Sequence, residues 1–304
     1  MRPEAAVPPG PHGGDGPRLA AALGLEPSQV LDLSMSMNPV APDPLPLFAA
    51  RLGALAHYPD VGPATRALAE AMGVEPARLV LTNGGSEAIA LVAAELGSGW
   101  VEGPEFGLYA RHLRLDPAAG RWRSNPHNPS GRLAGPEERA AVWDEAFYPL
   151  ATGRWSRGDP GCFVVGSLTK LFSCPGLRLG YVVAPDDASA AALAARQPQW
   201  SVNSLAASVL PELLSRADLA AWAARVAELR RQLAALLAGH GLDPRPSDAN
   251  YLLVAGAEGL RPRLAARGVL VRDCSSFGLA GTVRVAVPSE AGLDRLARAL
   301  EELG

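Results

Sequence analysis

In the run Cys162-Phe163-Val164-Val165-Gly166-Ser167-Leu168-Thr169-Lys170, an apolar, β-rich segment gives way to a short polar turn that ends on a lysine. Lys170 is the only lysine in the chain, and every other one of the 28 Lys and Arg positions is arginine. The wealth of Ala, Gly and Pro is what a GC-rich coding sequence produces. Such a bias exchanges surface lysines for arginines at little cost, because both are solvated cations. Arginine stays protonated and is a poor nucleophile, whereas lysine can lose its proton and condense with an aldehyde. A lone lysine is either a chance survivor or a residue whose chemistry arginine cannot supply, and its neighbours must decide.

Reading outward from this run, Leu179 to Ala184 gives another strand. Upstream, Leu79 to Leu81 is a short strand that enters Thr82-Asn83-Gly84-Gly85-Ser86, and Glu87 to Leu96 follows as an amphipathic helix. A strand, a glycine turn and a helix N-terminus in that order make an anion site, because free backbone N–H groups and the helix dipole point to one spot. Helical spacing also marks Arg18 to Leu25, Leu45 to Leu55, Thr65 to Met72, Leu213 to Leu237 (stopped by Gly241) and Leu293 to Leu303. Val30 to Leu33, Tyr251 to Val254, Val269 to Val271 and Thr282 to Val287 read as extended. Alternating strands and helices predict an α/β fold with a parallel core.

Composition excludes several classes. The chain has 304 residues, 48% of them apolar, which suffices to bury a core. A formal net charge of -3 leaves no electrostatic footprint for nucleic acid. No apolar run reaches the roughly 20 residues that span a bilayer. Met1 to Ala20 lacks the apolar stretch of a signal peptide. Cys162, Cys174 and Cys274 show neither disulfide nor metal spacing, so a cytoplasmic protein with reduced thiols and no metal is expected.

Four motifs in order, Asn83-Gly84-Gly85-Ser86-Glu87, Asn125-Pro126-His127-Asn128-Pro129-Ser130-Gly131, Asp144-Glu145-Ala146-Phe147, and Ser167-Leu168-Thr169-Lys170 with Arg178 beyond, resemble the fold-type I pyridoxal-phosphate enzymes of the class I/II aminotransferase superfamily. The resemblance implies a mostly parallel sheet in a large domain, residues 41–208. A smaller α/β domain follows at 209–304, and an N-terminal segment, 1–40, packs on it. It implies pyridoxal 5′-phosphate as cofactor, with Lys170 as the covalent anchor and Asp144 as the partner of the ring nitrogen. It further implies Asn128 at the phenolic oxygen and Phe106 against the ring. Gly85, Ser86, Ser167, Thr169 and Arg178 match the positions at the cofactor phosphate. Taken singly, each residue has a local reading: Asp144 as a helix cap, Ser167 and Thr169 as strand residues, Asn128 as a turn former.

A second set of segments is similar to the threonine-phosphate decarboxylase family of cobalamin biosynthesis: His12-Gly13-Gly14, Asp32-Leu33-Ser34 leading to Asn38-Pro39, Tyr58-Pro59-Asp60, Gln199-Trp200-Ser201-Val202-Asn203, Arg272-Asp273-Cys274 and Val283-Arg284-Val285-Ala286. Phe147 shares that family's departure from the tyrosine usual in histidinol-phosphate aminotransferases. The resemblance implies decarboxylation of O-phospho-L-threonine to (R)-1-amino-2-propanol O-phosphate. His12, Gly13, Asn38, Asn128, Arg272 and Arg284 would be the substrate contacts. Tyr58 would reach the cofactor phosphate of a partner subunit, which implies a homodimer. An aminotransferase of the histidinol-phosphate type and a non-catalytic relic of the fold stay open.

One region departs from the family pattern. Only Arg132 to Trp143 separates Gly131 from Asp144, where the family fits a helix and a strand, and Leu115 to Ser124 lacks an apolar strand. Pro136 to Trp143 is a short helix at most. The expectation is a surviving sheet with trimmed helices, and Asn128 and Asp144 still within reach of the cofactor.

Overall fold

The computed structural model describes residues 7–10 and 12–303. Among these residues, one sheet has seven strands: β2 (Leu79–Thr82), β3 (Ser98–Val101), β4 (Arg114–Leu115), β5 (Arg121–Ser124), β6 (Val142–Asp144), β7 (Phe163–Ser167) and β8 (Gly180–Val183). Their order is β2-β8-β7-β6-β5-β3-β4. The pairs from β4 to β7 are parallel, and β8 runs antiparallel between β7 and β2. Alternate side chains fill opposite faces. Leu81, Trp143, Val164, Tyr181 and Val183 join one core. Val80, Trp122, Val142, Phe163, Val165 and Val182 join the other.

A second sheet, in the order β1-β11-β12-β10-β9, combines the N-terminal strand β1 (Leu31–Leu33) with β9 (Asp243–Pro244), β10 (Tyr251–Ala255), β11 (Val269–Asp273) and β12 (Val283–Ala286). β1 pairs in parallel with β11, Leu31 opposite Val269, so the start of the chain is bound to its end. The helices Leu219–Gly239 and Glu290–Glu301 pack Leu229, Leu233, Leu296 and Leu300 against this sheet.

Three sequence expectations need correction. A strand does precede the asparagine motif. β5 reads Arg-Trp-Arg-Ser, with Trp122 and Ser124 buried between β3 and β6, and its arginines hid it from an apolar pattern. No helix forms over Pro136–Trp143; turns lead directly into β6. In place of a helix, Arg157 clamps this crossover. Its guanidinium donates to the carbonyls of Gly135 (3.0 Å), Pro136 (3.1 Å) and Glu138 (3.0 Å) and lies 4.9 Å above the Trp143 ring. The long helix expected over Leu213–Leu237 is two, Ser204–Ser215 and Leu219–Gly239. Asp218 restarts the chain by capping the second, accepting the Ala221 N–H at 2.9 Å.

Candidate active site

Parallel strands of an α/β sheet open a crevice at their carboxyl ends. Here the ends of β2, β5, β6 and β7 deliver Gly85 and Ser86, Asn128, Asp144, and Ser167 with Lys170 to one cleft. The helix Gly84–Leu96 starts at its floor, so its first N–H groups have no partner within the helix. Gly84 adopts φ +76°, and a Cβ there would stand 2.6 Å from Arg178 Nη2, so only glycine lets the guanidinium approach this turn. Arg178 itself has φ +57°, a costly conformation for a non-glycine residue that brings its side chain to the cleft.

Lys170 is held in a short helical turn, Leu168–Leu171, directly after β7. Burial, then the charges of Arg284 and Arg178, lower its ammonium to about 8, against an opposing pull from Asp144. Asp144 ends β6. Its Oδ2 accepts the Tyr109 hydroxyl at 2.7 Å, and its Oδ1 accepts the Ala146 N–H at 3.0 Å. Burial pushes its carboxyl upward, opposed by these two bonds and by Lys170. Phe147 sits beside it and meets Tyr251 edge to face at 5.2 Å.

The opposite wall comes from elsewhere in the chain. Arg284 on β12 is buried and donates to Asn128 Oδ1 at 2.5 Å, with its guanidinium 4.6 Å above the Tyr251 ring. Arg272 on β11 is buried as well, donating to Ser276 Oγ at 2.9 Å and to the Gly10 carbonyl at 3.3 Å. Desolvation lowers the pKa of both arginines. His12 approaches Phe106 at 5.6 Å between ring centroids, and Gly13 packs so closely on the chain after β1 that a Cβ would lie 2.3 Å from the Ser34 carbonyl oxygen.

Three residues named from the sequence lie outside the cleft lining. Thr169 is buried, and its hydroxyl donates to the Leu179 carbonyl at 3.3 Å. Asn38 spends its side chain on the backbone, donating to Leu171 O (3.0 Å) and accepting from Val40 N–H (3.1 Å). Its own N–H donates to the Lys170 carbonyl at 3.0 Å, so it braces the lysine turn from behind. Tyr58 is 78% exposed and stacks on Trp200 at 4.4 Å.

Sequence reasoning passed over two side chains. Ser36 lines the cleft, is 2% exposed and has a hydroxyl with no partner among the described residues. It lies two positions before Asn38 in the same segment, and nothing in the sequence distinguished the two. Tyr109, the donor to Asp144, follows Phe106 by three residues at the start of a helical turn.

Residues 122–300 match the family described as aminotransferase class I and II. Threonine-phosphate decarboxylase of Salmonella typhimurium is 31% identical over 96% of both chains. The chain belongs to the class I and II aminotransferase family. Another member, histidinol-phosphate aminotransferase 2 of Methylococcus capsulatus, is 29% identical over 90% of both chains. Among solved structures, the histidinol-phosphate aminotransferase of Sinorhizobium meliloti in complex with pyridoxal-5′-phosphate superposes with a TM-score of 0.81. That likeness covers 100% of this chain and 98% of the other at 18% identity, and it establishes the shared fold-type I architecture.

Pyridoxal 5′-phosphate is the family's cofactor, and the donor set of this cleft suits it. The N–H groups at Gly84–Ser86, which have no partner within their helix, and the Arg178 guanidinium offer an anion site. The half-buried Asp144 carboxyl suits a cationic ring nitrogen, and Lys170 is an amine lowered toward its neutral form. Among the described residues no group of His, Cys, Asp and Glu could hold a metal ion. Nor, among the described residues, is any helix long and apolar enough to cross a membrane.

Proposed function

We propose that this family member decarboxylates O-phospho-L-threonine to (R)-1-amino-2-propanol O-phosphate. The observation that carries the reading is the pair of buried arginines facing Lys170. Arg272 and Arg284 leave the second sheet at opposed positions of paired strands, and both reach the cleft beside His12 and Gly13. A substrate with a carboxylate and a dianionic phosphate needs more than one cation in its site, and two guanidiniums on neighbouring strands supply them. The 31% identity to a threonine-phosphate decarboxylase over nearly the whole chain supports the same substrate.

In this reading Gly85, Ser86, Ser167 and Arg178 hold the cofactor phosphate, Phe106 lies against the ring, and Asn128 faces the phenolic oxygen. Bound pyridoxal phosphate supplies an electron sink for the bond broken at the substrate's Cα. Asp144 keeps the ring nitrogen protonated, since a cation beside it offsets the burial that pushes its carboxyl up. Arg272, Arg284 and the Ser36 hydroxyl orient the substrate, and that orientation selects which Cα bond breaks. Lys170, lowered to about 8, can return a proton to Cα near neutral pH. Phe147 brings no hydroxyl to the site.

A product assay tests the proposal: O-phosphothreonine should release CO₂ and leave the amino alcohol phosphate. The identity to a histidinol-phosphate aminotransferase supports a second reading. Amino transfer to 2-oxoglutarate without CO₂ would establish that one instead. The relic reading predicts no turnover with either substrate, and the convergence of Lys170, Asp144 and Asn128 argues against it. We also propose a homodimer. Leu45, Leu52, Leu55 and Tyr58 are all more than half exposed on one N-terminal stretch, with Trp200 beside Tyr58, as an interface would require. Sedimentation should give twice the chain mass.

A further inference from the structure

Glu105 is a buried carboxylate with no place in the chemistry above. Its side chain is 3% exposed, and among the described residues its one ion-pairing neighbour is His127, whose Nε2 lies 3.9 Å away. That imidazole is already committed. Nε2–H donates to the Pro104 carbonyl (2.8 Å), and Nδ1 is left to accept the Ser130 hydroxyl (2.7 Å). Burial and the Arg123 and Arg121 charges lower its pKa, with the Pro104 bond opposing them, so it lends Glu105 no charge. The carboxylate is held instead by three donors: Ser124 N–H at 2.9 Å, Ser124 Oγ–H at 2.6 Å and Phe106 N–H at 3.2 Å. A buried carboxylate satisfied only by neutral donors is costly to keep, and burial pushes it up to about 7.

What these bonds join gives that cost a purpose. Ser124 Oγ passes its proton toward Glu105 and accepts the Asn128 N–H at 2.7 Å. The oxygen that accepts the Ser124 hydroxyl, Oε2, also takes the N–H of Phe106, while Oε1 takes the Ser124 N–H. The carboxylate therefore ties the turn that carries the aromatic wall to the turn that carries Asn128. We propose that Glu105 is a positioning residue that sets Asn128 and Phe106 relative to each other through Ser124, and so tunes the polarity at the cofactor's phenolic oxygen. The ionised carboxylate accepts from all three donors, whereas a hydroxyl or an amide in its place would present a hydrogen to one of them.

The inference rests on the proposed place of Asn128 against the cofactor, and the test separates the two. Holoprotein is titrated with base while the visible absorption of the lysine-bound cofactor is followed, and cofactor affinity is measured by fluorescence. Asn128→Ala must raise the titration midpoint, since an amide donor to the phenolic oxygen stabilises the deprotonated form. If it does not, the placement of Asn128 fails and the inference with it. Given that shift, Glu105→Ala should raise the midpoint by about half a pH unit or more and weaken cofactor binding about fivefold. Glu105→Gln should give a smaller shift of the same sign, and it serves if the alanine variant does not fold. Ser124→Ala should match Glu105→Ala, and the double variant should add nothing, because the two act in one chain of bonds. Glu102→Ala, which loses an exposed pair with Arg121, should move neither reading. A wild-type midpoint and affinity in both Glu105 variants, with only the melting temperature lowered, would overturn the proposal and leave Glu105 as a structural bridge.

Discussion

The two walls of the cleft are built by different means. The inner wall is local. Its polar residues lie within a few positions of a strand end of the seven-stranded sheet, so a short motif fixes both chemistry and position. The outer wall is assembled from the two ends of the chain, His12, Gly13 and Ser36 from the start and Arg272 and Arg284 from the end, joined where β1 pairs with β11. Strand ends place reactive groups rigidly, whereas distant segments can change one residue at a time without disturbing the sheet. The inner wall should therefore govern whether the reaction occurs, and the outer wall what it occurs on.

The largest effect should come from the inner wall. Lys170→Ala removes the one side chain able to bond covalently to the cofactor, and kcat should fall at least about a thousandfold. The visible absorbance of the covalent adduct should vanish, while circular dichroism stays unchanged. Retained turnover would break the division between the walls at its base.

On the outer wall, Arg284→Ala should raise KM for O-phosphothreonine about a hundredfold, as the loss of a buried charge-assisted contact predicts. If the walls are as separate as proposed, kcat should fall much less than KM rises. Arg284 is also the largest charge lowering Lys170, so the same variant should lift the lysine's pKa. That coupling, and the bond from Arg284 to Asn128, are where the comparison blurs.

The next effect follows from the Lys170 value of about 8, below the usual 10.5 for lysine. Below a pH of about 8 the neutral fraction drops about tenfold per unit. Covalent capture of pyridoxal phosphate by the cofactor-free protein should therefore accelerate with pH and level off near 8. Stopped-flow absorbance across this range checks it. A rate still climbing at pH 10 would show a solvated lysine. In Arg284→Ala the plateau should move upward.

The same contrast explains what the sequence could show. The inner wall was legible because its motifs are contiguous and each strand end needs only a few residues. Even there, β5 was invisible. A strand between two others needs only Trp122 and Ser124 on its buried positions, and its arginines obeyed the alternation rather than the expected apolar run. The break at Arg216–Asp218 was a capping aspartate inside a continuous helical spacing. The Arg157 clamp could not be read at all, since it replaces a helix with hydrogen bonds to carbonyls about twenty residues away. On the outer wall, sequence gave residue types without orientation. Ser36 and Asn38 lie on one short segment, and only the packing shows which faces the cleft and which faces the protein.

That pair supplies the finest test. Asn38→Ala leaves the Val40 N–H and the Leu171 carbonyl without their side-chain partner, and it should cost about 1–3 kcal/mol. Because Asn38 braces the Lys170 turn from behind, its loss should lower the melting temperature and slow capture of the cofactor. KM for O-phosphothreonine should stay near the wild-type value. Ser36→Ala removes a hydroxyl that has no partner among the described residues, so the melting temperature should hold or rise slightly. Its effect belongs on KM, a rise of about three- to tenfold for the loss of one neutral hydrogen bond to substrate. The reverse pattern, KM moved by Asn38 and stability by Ser36, would mean that the segment turns over when substrate binds. The outer wall would then be a moving part, and the difference between the two walls would be one of rigidity as well as of construction.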